Sequence, residues 1–237
     1  AYNVFNALLS VGYDVVFDKA KNHHLALGVQ GGIKQKSINP NKLTFGNQYT
    51  YANEGSFDSG IDNGEAFSNT SFIIPGVNAG LLYYYAKENS RLNPFVGFSA
   101  FNLTQPTETF YSTDNKLPIR YYAHGGVKIN VSEKIQLLPK VIYMSQTNAQ
   151  EVTATLLLHY FMKGSDTYLI FGPTYRNKDA AILELGLKKG NYIARVSYDV
   201  NTSSLKQASN NRGGFEISLT YIARRNKPNP LANCPRL

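Results

Sequence analysis

The chain ends in two segments whose side chains alternate, and that alternation limits what it can fold into. In NYIARVSYDV (191–200), Tyr192, Ala194, Val196, Tyr198 and Val200 share one face, while Asn191, Arg195, Ser197 and Asp199 share the other. In GGFEISLTYIARR (213–225), Phe215, Ile217, Leu219 and Tyr221 oppose Glu216, Ser218, Thr220 and Arg224. Successive side chains leave a strand on opposite faces, so a period of two predicts β-strands. Each strand has one apolar face and one face able to carry full charges. The polar loop NTSSLKQASNNR joins them, and a Pro-rich tail, NKPNPLANCPRL, follows.

The same unit recurs upstream. Alternation predicts strands over Val4–Phe17, His24–Lys36, Gly76–Ala86, Pro94–Leu103, Ile119–Val131, Ile135–Met144, Glu151–Phe161, Thr167–Arg176 and Ala180–Leu187. With the closing pair this makes about eleven strands. No helix and no domain boundary is expected before the tail. The domain is therefore read as residues 1–225 and the tail as residues 226–237.

An all-β chain of this kind is either a soluble sandwich or a membrane barrel, and composition separates the two. Charged residues are 17% of the chain, against about 25% in soluble domains. No apolar run approaches the ~18 residues of a spanning helix. A barrel escapes that test, because only alternate residues face lipid. The net charge of +8 is scattered as Lys in turns, no nucleic-acid motif is present, and no nucleic-acid partner is expected. The one cysteine, Cys234, excludes an internal disulfide or a Cys-based zinc site within the sequence.

Loop lengths alternate as well. DKAKN, KENSRLN, SEK, KGSD and KKG are mostly tight and carry Lys; between them come Ser37–Ser71, Thr104–Pro118, SQTNAQ, NKD and Asn201–Arg212, of which all but NKD are longer. Short turns at one end and long loops at the other is the outer-membrane barrel pattern. The fold class expected is thus all-β, a transmembrane antiparallel β-barrel. Its last strand ends in the periplasm, so counting back makes the first of eleven start outside. Bacterial single-chain barrels start inside with even strand numbers, so an odd number of strands is expected upstream, and about fourteen in the full protein. The opening AYNVFNALLS already lies within a strand pattern, which fits that expectation.

The segments LTFGNQY (43–49), PGVNAGLLYYY (75–85), LPIRYYAHGGVKI (117–129), YRNKDAAI (175–182), VSYDVNTSSL (196–205), RGGFEISLTY (212–221) and the ending CPRL stand in this order along the chain. Together they resemble the PorP/SprF family of type IX secretion system outer-membrane proteins. The terminal Leu237 departs from the Phe more usual in the family. The resemblance implies a barrel in the cell outer membrane of a Gram-negative envelope. It further implies a non-enzymatic component supporting secretion and surface anchoring of adhesin-like cargo, in some members for gliding motility. The partners implied are the cargo's C-terminal domain, the type IX translocon, periplasmic lipoprotein components and outer-membrane lipid.

Three groups of residues are candidates for function. Arg120, His124, Lys128, Glu184, Arg195, Asp199 and Glu216 lie on polar faces and are expected to form a luminal charge network. Such a network either fills the barrel with ion pairs, as buried charges demand, or binds a polypeptide segment. Cys234, Pro235 and Arg236 are expected to dock the tail either as a plug in the lumen or along the periplasmic rim, Arg236 against an acidic luminal residue such as Glu216. Phe45, Tyr49, Tyr51 and Phe57, with Asn201 and Arg212 bounding the last outer loop, are expected to contact cargo, because aromatics at this density indicate an ordered loop. Catalysis finds little support: Ser197 has no nucleophile elbow. His23 and His24 lack a metal-ligand spacing and read as a solvated turn. Neither cofactor nor metal is expected. The rival function for a barrel of this composition is a diffusion channel for small solutes.

Overall fold

A computed structural model describes residues 2–51, 55–87, 89–111, 113–204, 206–210 and 212–223. Each of the eleven expected strands is found. They are β1 (Tyr2–Val16), β2 (His23–Ile38), β5 (Ser71–Tyr85), β6 (Leu92–Phe101), β7 (Arg120–Asn130), β8 (Ile135–Gln146), β9 (Ala149–Met162), β10 (Thr167–Arg176), β11 (Ala180–Lys189), β12 (Tyr192–Asn201) and β13 (Arg212–Tyr221). β3 (Tyr49–Thr50) and β4 (Ser56–Phe57) make a small hairpin inside the first long loop. A single helical turn, α1 (Lys206–Ser209), lies in the last loop. β5 begins at Ser71 rather than at the expected Gly76. Pro75 reads as a break, yet it lies inside the strand and its carbonyl accepts from Thr104 Oγ1 at 3.0 Å.

The eleven long strands form one sheet in the order β1-β2-β5-β6-β7-β8-β9-β10-β11-β12-β13, so every neighbour is also the next long strand in sequence. Tight turns allow only antiparallel pairing between successive strands, and the registers from β7 to β13 show it. Among the described residues no ladder joins β13 to β1, so an antiparallel sheet is shown and its closure is not.

The chain divides into two compact units. One comprises residues 1–11, 28–79 and 100–119; the other comprises 12–27, 80–99 and 120–237. In the first, the long loop is organised by Gln48, which is buried although polar. Its Oε1 accepts from Phe45 N–H at 3.1 Å, its Nε2 donates to Ile61 O at 3.0 Å, and its carbonyl accepts from Asp58 N–H at 2.8 Å. In the second, a small core joins Tyr84, Ala86 and Phe95.

Burial runs opposite to that of a soluble sheet. β11 is an interior strand, yet Leu183, Leu185 and Leu187 are about half exposed (46%, 51% and 50%) while Glu184 between them is more sheltered. β12 repeats this, with Tyr192, Val196, Tyr198 and Val200 exposed and Arg195 and Asp199 half-buried. Water-soluble sheets put the apolar face inside, because burying apolar area is their main stabilisation.

Candidate functional site

The register lines charged side chains along the sheltered face of β7–β13. Glu184 faces Gly172 on β10 and Ser197 on β12, and Arg195 faces Gly186 on β11 and Ser218 on β13. Arg195 Nε stands 3.5 Å from Glu184 Oε1, an ion pair without hydrogen-bond alignment. Glycine makes room for it: a Cβ on Gly186 would lie 3.0 Å from Arg195 Cγ. His124 uses the same device, lying across Gly97 of β6, where a Cβ would come within 2.8 Å of Nε2. A larger residue at either position would force these polar side chains off the sheet surface.

The seven candidate network residues do not gather at one point. Glu184 and Arg195 pair directly. Asp199 instead lies within electrostatic range of Arg176, which bonds Asp179 Oδ2 through Nη1 at 2.7 Å and stands 3.7 Å from Glu151. Asp199 also accepts from Gly214 N–H beside the bulge at Tyr198/Val200. His124 is within range of Lys140, and Lys128 is within range of His159. Arg120 is exposed at the start of β7, and Glu216 is exposed on β13 opposite Ser197. Lys140, His159 and Arg176 complete the arrangement and were not among the sequence candidates. Lys140 is brought onto this face by pairing with Gly126, a register that alternation alone does not reveal.

His24 corrects another expectation. It reads as a solvated turn residue, yet it is fully buried (0% exposed). Its Nδ1 lies 2.9 Å from Asp14 Oδ2 and its Nε2 donates to Lys21 O at 2.9 Å, while Tyr84 Oη donates to the same Asp14 oxygen at 3.0 Å. The Tyr84 ring stacks on the imidazole at 4.6 Å. Asp14 and His24 come together because the five-residue turn DKAKN folds β2 back on β1, and no local sequence signal marks Tyr84 as their partner.

The two long loops, 39–70 and 102–119, pack on each other through rings. Phe45 contacts Phe67, Phe67 stacks on Tyr111 at 5.4 Å, and Phe72 meets Phe110 at 4.8 Å. Tyr111 Oη donates to Glu65 at 2.6 Å. Phe45 is thus half-buried inside the loop, whereas Tyr49, Tyr51 and Phe57 form an exposed edge-on cluster at 5.4–5.6 Å, with Tyr51 90% exposed. In the last loop Asn201 Oδ1 accepts from Ser203 N–H and Oγ–H, and Arg212 opens β13 opposite Val200. Cys234, Pro235 and Arg236 lie outside the described residues.

Glu108 clamps the second of these loops to β2 through Lys36 and Lys34, the latter at 3.3 Å. Burial acts to raise the Glu108 carboxyl, but the two ammonium groups outweigh it and hold it below the usual carboxylate range. A depressed carboxyl stabilises the folded loop above the unfolded value of about 4.3 and loses that contribution as pH falls through the folded value. Acidification below about pH 4 is therefore expected to expose residues 102–119 to limited proteolysis. Glu108→Gln should show the same cleavage already at neutral pH. Unchanged cleavage in both would show that the clamp does not hold the loop.

An all-β sheet that shelters its charges and exposes alternate apolar side chains on interior strands is the sheet of a membrane protein. Among the described residues no helix is long and apolar enough to cross a membrane. The family model of the type IX secretion system membrane protein PorP/SprF matches residues 1–221, and the chain belongs to that family. No curated protein matches it.

Proposed function

We propose that this chain forms most of a transmembrane β-barrel in the outer membrane, a non-enzymatic component that holds adhesin-like cargo of the type IX system at the cell surface, with a role in gliding where that cargo is a motility adhesin. The observation that carries the barrel is the inverted burial of β11 and β12, since half-exposed leucines on interior strands are stable against lipid and unfavourable against water. Eleven antiparallel strands leave β1 and β13 running in the same direction. An odd number of further strands makes every pair antiparallel, and three of them give the fourteen expected from loop alternation. Closure removes the two open edges, which hydrocarbon does not tolerate.

In this reading residues 1–225 are the barrel. The Lys-bearing turns face the periplasmic lipoprotein components and the translocon, and the tail 226–237 docks below the last strand through Pro235 and Arg236. Cargo meets the exposed rings Tyr49, Tyr51 and Phe57 and the loop between Asn201 and Arg212. Rigid aromatics anchor interfaces at little entropic expense, and the Gln48 hydrogen bonds hold these in place.

Deleting residues 39–70 is expected to leave the protein in the outer-membrane fraction while surface cargo disappears. Tyr51→Ala with Phe57→Ala should reduce cargo retention by about thirtyfold or more, since central aromatic anchors contribute about 2 kcal/mol or more. Undiminished surface cargo in the deletion strain would sink the loop assignment. Planar-bilayer recording tests the rest: a large, steady conductance would make the protein a diffusion channel instead.

A further inference from the structure

The loop 102–119 leaves β6 along the edge of β5 and then turns over the sheet. Leu103 N–H donates to Val77 O at 2.9 Å, and Asn102 N–H donates to Asn78 Oδ1 at 3.0 Å. Asn102 and Gln105 take left-handed backbone conformations (φ 60° and 43°), which residues other than glycine adopt at a cost and keep only where contacts hold them. These two bends turn the chain off its strand direction. Past them the loop closes on itself as a narrow finger. Thr107 bridges Lys116, Glu108 N–H donates to Asn115 O at 2.9 Å, and Asn102 Nδ2 donates to Pro118 O at 3.4 Å.

Three strands show which face the finger lies on. Gln30 Nε2 donates to Ser10 Oγ at 2.8 Å and Asn78 Nδ2 donates to Gln30 Oε1 at 2.7 Å, so Ser10 of β1, Gln30 of β2 and Asn78 of β5 share one face. A period of two puts Tyr2, Lys34, Lys36 and Phe72 on that face, and Val29, Ile33, Ile73 and Val77 on the other. The apolar set is exposed, whereas Lys34, Lys36 and Phe72 are half-buried. The tip of the finger rests on the polar-bearing face. Glu108 pairs with Lys36 and, at 3.3 Å, with Lys34. The Phe110 ring meets Phe72 at 4.8 Å and Tyr2 at 6.2 Å, and Phe110 O accepts from Ser68 and Asn69 N–H at 2.9 and 3.2 Å.

In the proposed barrel the face opposite the exposed apolar side chains is the wall of the lumen. A barrel of about fourteen strands falls between those filled by their own side chains, near eight, and those with an open channel, near sixteen. Resting on that reading, we propose that the loop 102–119 is a strap folded into the lumen, latched by Glu108 on Lys34 and Lys36, which obstructs the passage of small solutes past β1, β2 and β5. A carboxylate shared by two ammonium groups makes strong, charge-assisted contacts. The Phe110 ring, set between Phe72 and Tyr2, fixes the direction in which the finger points. The loop that the Glu108 clamp holds down is therefore part of the barrier across the pore rather than a surface feature.

The test uses the full-length protein in planar bilayers. Wild type is expected to conduct weakly, and replacing residues 106–116 with a short Gly-Ser linker is expected to raise single-channel conductance by about fivefold or more. Heat-modifiability on gels shows whether the variant is a folded barrel. A folded deletion variant that conducts no more than wild type overturns the strap and leaves the barrel standing. Lys36→Cys with Glu108→Cys, in a Cys234→Ser background, gives a second measurement that does not depend on the deletion folding. A short, reducible bifunctional thiol reagent should join the two cysteines and hold conductance at the wild-type level, and reduction should let it rise. Failure to cross-link, or a conductance indifferent to reduction, overturns the proposal. Recovery of wild type from cells without detergent removes the barrel reading and the proposal with it.

Discussion

Leu185→Arg is expected to deplete the protein from the membrane, although in a water-soluble sheet the same change would be nearly neutral. Leu185 is half exposed in the middle of β11, with β10 and β12 paired on either side. An exposed leucine in water costs little to replace, and surface substitutions generally fall within about 0.5 kcal/mol. Against hydrocarbon, an arginine at mid-strand costs about 2–4 kcal/mol. With total stabilities of only about 5–15 kcal/mol, that is a large fraction of what keeps the sheet assembled. Ser197→Gln is the matched control. It faces Glu184 across the ladder on the opposite side of the sheet and should be tolerated. The measurement is the amount of folded, heat-modifiable protein in the outer-membrane fraction. Wild-type levels of Leu185→Arg would mean that this face meets water.

The second large effect is expected at His24. Replacing it with leucine keeps the volume but removes the partner of Asp14, leaving a carboxylate bonded only by Tyr84. His24 makes two hydrogen bonds in a fully buried position, whereas the Asp14 side chain is 33% exposed and open to water, so the loss is expected to be roughly 2–3 kcal/mol. His24→Leu should therefore lower the unfolding temperature on heated gels more than Tyr84→Phe, which removes one hydrogen bond worth about 1 kcal/mol. Combining His24→Leu with Asp14→Leu should recover part of the loss, since no carboxylate is then left without its imidazole partner. If the double change is as damaging as the sum of the two singles, the pair does not act as a unit.

How far the sequence could be read depended on range. Strand positions were legible throughout, Thr167–Arg176 to the residue, because alternation is local and the two faces differ strongly in polarity. What alternation does not carry is register. The approach of Lys140 to the Arg195 and Glu184 pair, and of Tyr84 to His24 and Asp14, depends on which residues of different strands stand level. Histidine 24 misled for the same reason: beside a turn a histidine is ordinarily solvated, and only the third long strand, folding over it, buries it. Loop aromatics were visible, but their division into Phe45 inside and Tyr51 outside was not, since it rests on the Gln48 hydrogen bonds. The glycines at 97 and 186 could be noted as gaps, yet what lay across them could not be named.

The lengths of the first strands carry a consequence for reach. β1, β2 and β5 run for 15, 16 and 15 residues, whereas about 9–11 tilted residues cross a bilayer. Four or five surplus residues at about 3.4 Å each, inclined near 45°, lift a loop by roughly 10 Å. Strands β10 to β13 have 10 residues each and no such surplus. In the proposed barrel that surplus would lift the loop carrying Tyr51 and Phe57 clear of the bilayer, where a long filament could be gripped without its bulk pressing on the lipid.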